Sequence, residues 1–318
     1  MKKYLSLLFI CIMVLISATF FPGCAEQSTE DQLTDNESTN GKIKISSTIF
    51  PIYDISKNIG GEFVEAGYIL APGASPHTFD PSPSDIKNIQ DVEIIFSVGY
   101  GLDNWTETIT RTLEDVEKIE VSQDIELYPF SFEHKHNVHE RDGQEYHEHG
   151  YEDPHYWLNT QNAKIIAENI ANALIKHDPE NESIYLQNLD SYKQQLDLLH
   201  DGIEEKLGEL ENNSLIVFHD SWSYFAREFN LKIVGVFEAY PGKTSTPKYL
   251  EDLYQKTEEH DLQAVFSEPQ LSPASLKPFV EDLSLELYVL DPLGGLQDRN
   301  SYVKMMEYNA NTIYDALK

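Results

Sequence analysis

Histidine and acidic residues, side chains well suited to holding a metal ion, are concentrated in one stretch of the 318-residue chain. The stretch EHKHNVHERDGQEYHEHGYEDPHYWLN, residues 133–159, contains six of the eleven histidines, and seven acidic residues precede Pro154. The segment 133–150 is polar and lacks hydrophobic periodicity, so we expect a loop. Such a loop loses about 1–2 kcal/mol of chain entropy per residue when it encloses an ion, so it would collect metal only weakly. Its histidines are His134, His136, His139, His147 and His149. A solvated loop with incidental histidines is the alternative.

Four other candidate ligands are far apart in the sequence. His219 directly follows the run SLIVF and Asp291 directly follows LELYVL, while His77 and His155 each follow a proline that restricts the backbone ahead of them. Ligands of open α/β sheets bind beyond the carboxyl ends of the strands, where these residues are expected. Taken singly, each has an ordinary alternative, because loop histidines bond carbonyl groups and strand-end aspartates cap helices. The four are 78, 64 and 72 residues apart, so they form no local metal motif.

Strand and helix patterns alternate on both sides of a long helical stretch. Apolar residues recur three or four apart from 180 to 210, which predicts one helix of about thirty residues. Short apolar and β-branched runs predict strands at 43–48, 63–70, 93–99, 118–122, 214–219, 231–238, 264–268 and 285–291. Helices are predicted between them at about 51–60, 83–91, 103–114, 162–177, 221–229, 247–260, 273–283 and 298–317.

This alternation predicts an α/β protein of two lobes, each a four-stranded, mostly parallel sheet flanked by helices. The N-terminal lobe is expected at 42–179 and the C-terminal lobe at 211–318, with the helix at 180–210 joining them.

The N-terminus has the pattern of an export signal. Two lysines precede an uncharged apolar run, and the signal 1–24 ends in a lipobox-like sequence at Cys24, where we expect lipidation. An uncleaved anchor helix is the alternative, since the run is just long enough to span a membrane. Residues 25–41 are too polar to fold and predict a disordered tether. The only other cysteine is Cys11, inside the signal, so no disulfide is expected.

The charge balance is strongly acidic. The full chain has a net charge of −31, and removal of Lys2 and Lys3 with the signal leaves 21 basic against 54 acidic residues, a net charge of −33. This charge excludes nucleic acid as a partner and attracts cations. Adaptation to salty surroundings is an equally acceptable cause.

Four segments resemble, in order, the ligand-bearing segments of the cluster A-I metal-binding proteins of ABC importers, the zinc and manganese family. They are APGASPHTFDPSPSDI, DPHYWLN, VFHDSWSYFAREFNL and VLDPLGG. The resemblance runs from about Lys42 to the end of the chain and includes the long helix, for which it implies rigidity and modest lobe rotation.

The resemblance implies that imidazole nitrogens of His77, His155 and His219 and the carboxylate of Asp291 bind one ion between the lobes. Family members that carry manganese tend to have Glu at the position of His219. Three imidazoles and one carboxylate suit tetrahedral Zn²⁺ better than oxygen-preferring Mn²⁺, and a His- and acid-rich loop is typical of the zinc branch. Glu268, at the end of AVFSE, is expected to orient a ligating imidazole, with a helix or loop cap as the alternative.

The resemblance therefore implies an exported, membrane-tethered, monomeric receptor that delivers Zn²⁺ to an ABC permease with a cytoplasmic ATPase. Because imidazoles must be neutral to bind metal, affinity is expected to fall as the pH drops through about 6.5. A manganese receptor of the same family and a surface adhesin are the alternatives. An enzyme is not expected, because four protein ligands would leave zinc no position for water and neither HExxH nor GxSxG is present.

Overall fold

The computed structural model describes residues 41–113, 115–130, 152–238, 246–272, 274 and 276–318. In this part of the chain, two four-stranded sheets with parallel pairing flank a long helix in sequence. The first sheet has the order β2-β1-β3-β4, and the second, β6-β5-β7-β8, repeats that order. The strands are β1 (Ile43–Ser47), β2 (Val64–Tyr68), β3 (Ile94–Ser97), β4 (Glu117–Glu120), β5 (Ser214–His219), β6 (Lys232–Glu238), β7 (Ala264–Ser267) and β8 (Glu286–Val289). The predicted α/β architecture is confirmed.

Helices alternate with these strands as the sequence predicts. They are α1 (Phe50–Gly60), α2 (Pro83–Asn88), α3 (Thr106–Thr110), α4 (Thr160–His177), α5 (Glu182–Leu207), α6 (Ser223–Glu228), α7 (Pro247–Glu259), α8 (Lys277–Leu283) and α9 (Tyr302–Leu317). Side-chain caps define several starts: the Ser82 and Thr246 hydroxyls accept backbone N–H bonds at the first turns of α2 and α7. The helix expected at 103–114 is much shorter, because the Asp103 carboxylate accepts from the N–H groups of Val98 and Gly99 and holds a turn instead.

The long helix α5 joins the two halves of the fold. Its 26 residues span about 39 Å at 1.5 Å per residue. It packs against α1 and α4, which accompany the first sheet, and against α9, which accompanies the second. The prediction of one long connecting helix is therefore confirmed. Its buried residues lie on one face: Tyr185, Tyr192, Leu196, Leu199, Ile203 and Leu207.

The segment 153–160, between the first sheet and α4, is bonded directly to the second half of the chain. Its partners come from α6, from the loop after β8 and from the start of α9. The bonds are Tyr224 Oη to Asp153 O (3.0 Å), Trp157 Nε1 to Pro292 O (2.7 Å), Tyr302 Oη to Trp157 O (2.7 Å) and Thr160 N to Glu228 Oε2 (2.8 Å). Residues from the second half of the chain therefore hold this segment of the first half in place.

The ends of the histidine-rich segment are held together. Pro129 and Glu152 form an isolated antiparallel bridge, and the Asp153 N–H donates to the Tyr128 carbonyl at 2.7 Å. The loop 133–150 itself, with His134, His136, His139, His147 and His149, lies outside the described residues.

Several other predictions also concern undescribed residues. The signal 1–24 with Cys24, and the tether 25–41 except Gly41, lie outside the described part of the chain. The exact lobe boundaries at 179 and 211 stay predictions. No helix in the described ranges is both long and apolar enough to cross a membrane.

A pair of leucines on α5 tests how much the buried face contributes. Leu196 is fully buried, whereas Leu198 is 73% exposed. We expect Leu196→Ala to lower the free energy of unfolding by about 2–5 kcal/mol, because it leaves a cavity between helices. Leu198→Ala should change it by about 0.5 kcal/mol or less. Urea unfolding of both variants measures the difference, and equal effects would contradict the packing described here.

Candidate metal centre

The four predicted ligand positions lie beyond strand ends in both sheets. His77 is in the loop between β2 and α2, and His155 immediately precedes the short 3-10 turn Tyr156–Leu158. His219 is the last residue of β5, and Asp291 lies two residues beyond β8. The ends of parallel strands thus place these four residues in one region, although they are 78, 64 and 72 positions apart in the sequence.

The three histidines come together. One ring nitrogen from each of His77, His155 and His219 lies within 4.8 Å of the others. The Nε2 atoms of His77 and His155 are 3.3 Å apart, and the ring centroids of the three are 5.1–5.5 Å apart. His155 and His219 are buried, whereas His77 is exposed. Three nitrogens at this separation can share one small cation.

A buried carboxylate fixes the orientation of His155. Asp153 Oδ1 accepts from the backbone N–H of His155 at 2.9 Å and lies 2.7 Å from its Nδ1. With the Nδ1 hydrogen donated to Asp153, the Nε2 lone pair of His155 is directed at the other histidines. Sequence reasoning missed Asp153, and the available signal was an acidic residue two positions before the histidine in EDPH.

Glu268 does the same for His219. Both carboxylate oxygens of Glu268 lie 2.9 Å from His219 Nδ1. The Ser221 hydroxyl and the Trp222 indole also donate to Oε1, so the carboxylate is fully engaged although it is buried. The Nε2 of His219 is buried and has no hydrogen-bond partner among the described residues. Glu268 thus contacts a histidine as predicted, while its role in orienting a metal-bound imidazole stays a prediction.

The loop of His77 is held from behind by an aromatic pair. Trp105 Nε1 donates to the carbonyl of Pro76 at 3.3 Å, and the Trp105 ring meets Phe79 edge-on at a centroid distance of 4.8 Å. Trp105 precedes α3 and had no signal in the sequence that linked it to His77. Its contacts fix the backbone on either side of the histidine.

Burial and the crowding of imidazoles shift the pKa values of two histidines downward. Desolvation, and then the nearness of His155 and His219, lowers the pKa of His77 to about 2, although the residue is exposed along its loop. Desolvation likewise holds the pKa of His155 well below its ordinary value. Burial raises the pKa of Asp153 to about 8. The imidazoles of His77 and His155 are therefore neutral over the whole physiological pH range.

His219 differs from the other two. Burial alone would lower its pKa, but the Glu268 carboxylate outweighs burial, so the pKa of His219 is raised. The same contact lowers the pKa of Glu268 against the effect of its own burial. Of the three histidines, His219 is therefore the one that holds a proton to the highest pH, and this proton would compete with a metal ion.

Asp291 lies beside the histidine group but does not belong to it. Its Oδ1 accepts from Gln270 Nε2 at 3.0 Å and from the N–H groups of Leu293 and Gly294 at 3.1 and 3.0 Å. Its Oδ2 forms an ion pair with Arg299 Nη1 at 3.3 Å. Gln270, Pro292 and Leu293 line the pocket at the histidines. Ligation by Asp291 stays a prediction.

Known proteins are similar to this chain over nearly its whole length. The model of a family described as ZnuA, zinc-uptake complex component A, periplasmic, matches residues 45–316. The chain belongs to this zinc-uptake family. Membership confirms the resemblance to cluster A-I metal-binding proteins and identifies the chain as a metal-binding component of an ABC importer rather than an enzyme. The family description also places the chain outside the cytoplasm, as predicted.

Several curated relatives carry names that refer to manganese, and others are named only as metal transporter components. The manganese-binding lipoprotein MntA of Halalkalibacterium halodurans is 28% identical, and the match covers 100% of this chain and 99% of the relative. The manganese ABC transporter substrate-binding lipoprotein PsaA of Streptococcus pneumoniae serotype 4 is also 28% identical, again over 100% of this chain and 99% of the relative. The chain thus matches a family described for zinc uptake, while relatives of the chain are named for manganese.

Solved structures of the family have the same fold. A crystal structure of ZnuA superposes with a TM-score of 0.75 and 26% identity, and covers 87% of this chain and 100% of the other. A ZnuA variant lacking residues 138–173 of its own numbering, described as zinc-bound, matches with a TM-score of 0.75 and 25% identity over 87% of this chain and 98% of that one. The fold expected from the sequence is therefore the fold of the family.

The Glu268–His219 pair makes a prediction about pH. The raised pKa of His219 means that metal affinity is greatest above that pKa and falls as the pH decreases through it. Glu268→Gln removes the charge that raises the pKa, so the fall should begin at a lower pH. At alkaline pH the same variant should bind metal about 10–100-fold more weakly, because Nε2 is less well oriented and less basic.

Metal titrations between pH 5.5 and 8.5 measure both effects. The matched control is Glu117→Gln, which alters another carboxylate that contacts a histidine, His177, at 2.9 Å. It should leave the pH profile unchanged. An identical profile for Glu268→Gln and the wild type would show that Glu268 does not control His219.

Proposed function

We propose that the chain is an extracytoplasmic zinc receptor that binds Zn²⁺ at His77, His155 and His219 and delivers it to the permease of an ABC importer. The observation that carries the proposal is the group of three imidazole nitrogens within 4.8 Å of one another. Two of these imidazoles have their Nδ1 atoms at buried carboxylates, which leaves the Nε2 atoms for the ion.

The donor set supports zinc in preference to manganese. Zn²⁺ binds imidazole nitrogen readily and accepts four ligands, whereas Mn²⁺ prefers oxygen ligands. The nearest buried carboxylates, Asp153 and Glu268, bond the far nitrogens of His155 and His219 and are not directed at the ion as ligands. Zinc therefore gains more from this group than manganese does.

We propose Asp291 as the fourth ligand, in keeping with the ligand set that the resemblance implies. Its carboxylate lies behind Gln270 and next to the pocket. To reach an ion among the histidines, it must exchange at least one of its present partners for the metal.

A manganese receptor is the second candidate, and the names of the curated relatives favour it. The two candidates differ at one residue in particular. Because His219 contributes a nitrogen where manganese carriers of the family tend to have Glu, His219→Glu should move the preference of the site toward manganese.

Ligand substitutions test the proposed site. His77→Ala, His155→Ala and His219→Ala should each weaken zinc binding by more than the roughly 10–100-fold that follows from loss of an outer hydrogen-bond partner. His260→Ala is the matched control, since His260 lies at the end of α7 away from the group. Competition between Zn²⁺ and Mn²⁺ on the wild type measures preference. Tighter binding of Mn²⁺ would refute the zinc proposal in favour of manganese.

The histidine-rich loop is proposed to collect metal at weaker sites. Deletion of 133–150 should leave one tight site unchanged, because the ends of the segment are already held together at Pro129 and Glu152. It should remove only the additional zinc ions that bind more weakly. Calorimetric titration with zinc counts both classes. If the deletion abolishes tight binding, the separation between loop and site is wrong.

Attachment to the membrane is proposed to occur through a lipid on Cys24. The names of the relatives as lipoproteins support this. Cargo release to the permease would require displacement of a ligand-bearing loop, and the loops of His219 and Asp291 are the candidates.

A further inference from the structure

The carboxylate of Asp291 already has a cation partner inside the protein. Its Oδ1 has three N–H donors, from Gln270, Leu293 and Gly294. Its Oδ2 is buried and has no hydrogen-bond partner among the described residues, and it forms an ion pair with Arg299 Nη1 at 3.3 Å. Since Oδ1 is fully occupied, Oδ2 is the oxygen with capacity for another positive charge.

Arg299 is held firmly in this position. Its guanidinium carbon lies 4.3 Å from the centre of the Tyr308 ring, and its Nε donates to Asp298 Oδ1 at 3.2 Å. Its backbone is fixed as well, because its carbonyl accepts from Gly295 and its N–H donates to Leu296, both at 2.9 Å. The side chain is only 11% exposed. The guanidinium cannot move away from Asp291 without losing its contacts with Tyr308 and Asp298.

The orientation of Gln270 follows from the same carboxylate. A carboxylate only accepts hydrogen bonds, so the amide NH₂ of Gln270 must face Asp291. The amide therefore ties Asp291 Oδ1 to the wall of the histidine pocket, which Gln270 lines. The carboxylate is thus held on one side by the pocket wall and on the other by Arg299.

We propose that Arg299 is a specificity-determining residue, an internal cation that competes with the incoming metal ion for Asp291 and thereby favours zinc over manganese. The ion must share or displace Arg299 to use the carboxylate, so the contribution of Asp291 is reduced for every metal. The imidazoles are not affected. Mn²⁺, which depends more on oxygen ligands, loses a larger fraction of its binding free energy than Zn²⁺ does.

The inference rests on the proposed function, because it concerns the same ion. Its test, however, compares the Zn²⁺ to Mn²⁺ affinity ratio of variants with that of the wild type. In Arg299→Gln, we expect the affinity for Mn²⁺ to rise by about tenfold relative to the affinity for Zn²⁺, since a close charge partner of Asp291 is lost. Arg299→Lys retains the positive charge and should keep most of the wild-type ratio. Arg111→Gln removes an equal charge from an exposed arginine that bonds only within its own helical turn, and it should change nothing.

These outcomes are distinct from those that test zinc as the cargo. A wild type that prefers Mn²⁺ would refute the zinc proposal, while a shift toward Mn²⁺ in Arg299→Gln would still support competition by Arg299. An unchanged Zn²⁺ to Mn²⁺ ratio in Arg299→Gln would overturn the inference. So would an equal loss of affinity for both metals, which is what simple damage to the fold would cause.

A measurement on the wild type keeps the test independent of whether Arg299→Gln folds. The chain has four arginines, Arg111, Arg141, Arg227 and Arg299, so a nitrogen–proton correlation NMR spectrum of the guanidinium Nε–H groups contains at most four signals. Arg299→Lys identifies the signal of Arg299 by its absence. Saturation with Zn²⁺ should shift this signal and leave that of Arg111 in place. A signal from Arg299 that does not move at saturation would refute competition for Asp291.

Discussion

The proposed metal centre depends on hydrogen bonds between buried carboxylates and the far nitrogens of two histidines. An imidazole binds metal only through an unprotonated nitrogen, and a buried histidine without a partner would be free to rotate or to change tautomer. Asp153 and Glu268 remove both freedoms, and they differ in effect because burial raises the pKa of Asp153, whereas the contact with His219 lowers the pKa of Glu268 against the effect of burial. In the proposed site, His155 would therefore bind the metal as a neutral imidazole, whereas His219 would exchange a proton for the metal.

The fold brings these pairs together by repetition. Both sheets have the same parallel strand order, so the carboxyl ends of both present loops to one region. The segment 153–160 then carries a ligand from the first half while being bonded to Tyr224, Pro292 and Glu228 of the second. The positions of His155 and His219 are therefore fixed relative to each other by hydrogen bonds between side chains and the main chain as well as by the sheets.

Sequence patterns predicted the strands, the long helix and the three histidines, because these depend on local periodicity and on motifs that resemble a family. They did not predict Asp153, Arg299, Gln270 or Trp105, whose roles depend on contacts between distant segments. The pKa values likewise combine a part that the residue type predicts with a part that depends on distant contacts. A histidine in a sequence is expected to titrate near 6.5, but whether burial or Glu268 dominates at His219 depends on a residue 49 positions away.

The bridge between Pro129 and Glu152 has a consequence for how the chain tolerates change. Because Pro129 and Glu152 meet, doubling the length of a flexible segment between them would cost only about 0.6 kcal/mol in loop-closure entropy. Insertions, deletions and new sequences can be exchanged there while the histidine group keeps its geometry. The site thus has an attachment point at which a foreign peptide, such as a fluorescent reporter or an affinity tag, could be grafted next to a metal centre without becoming part of it.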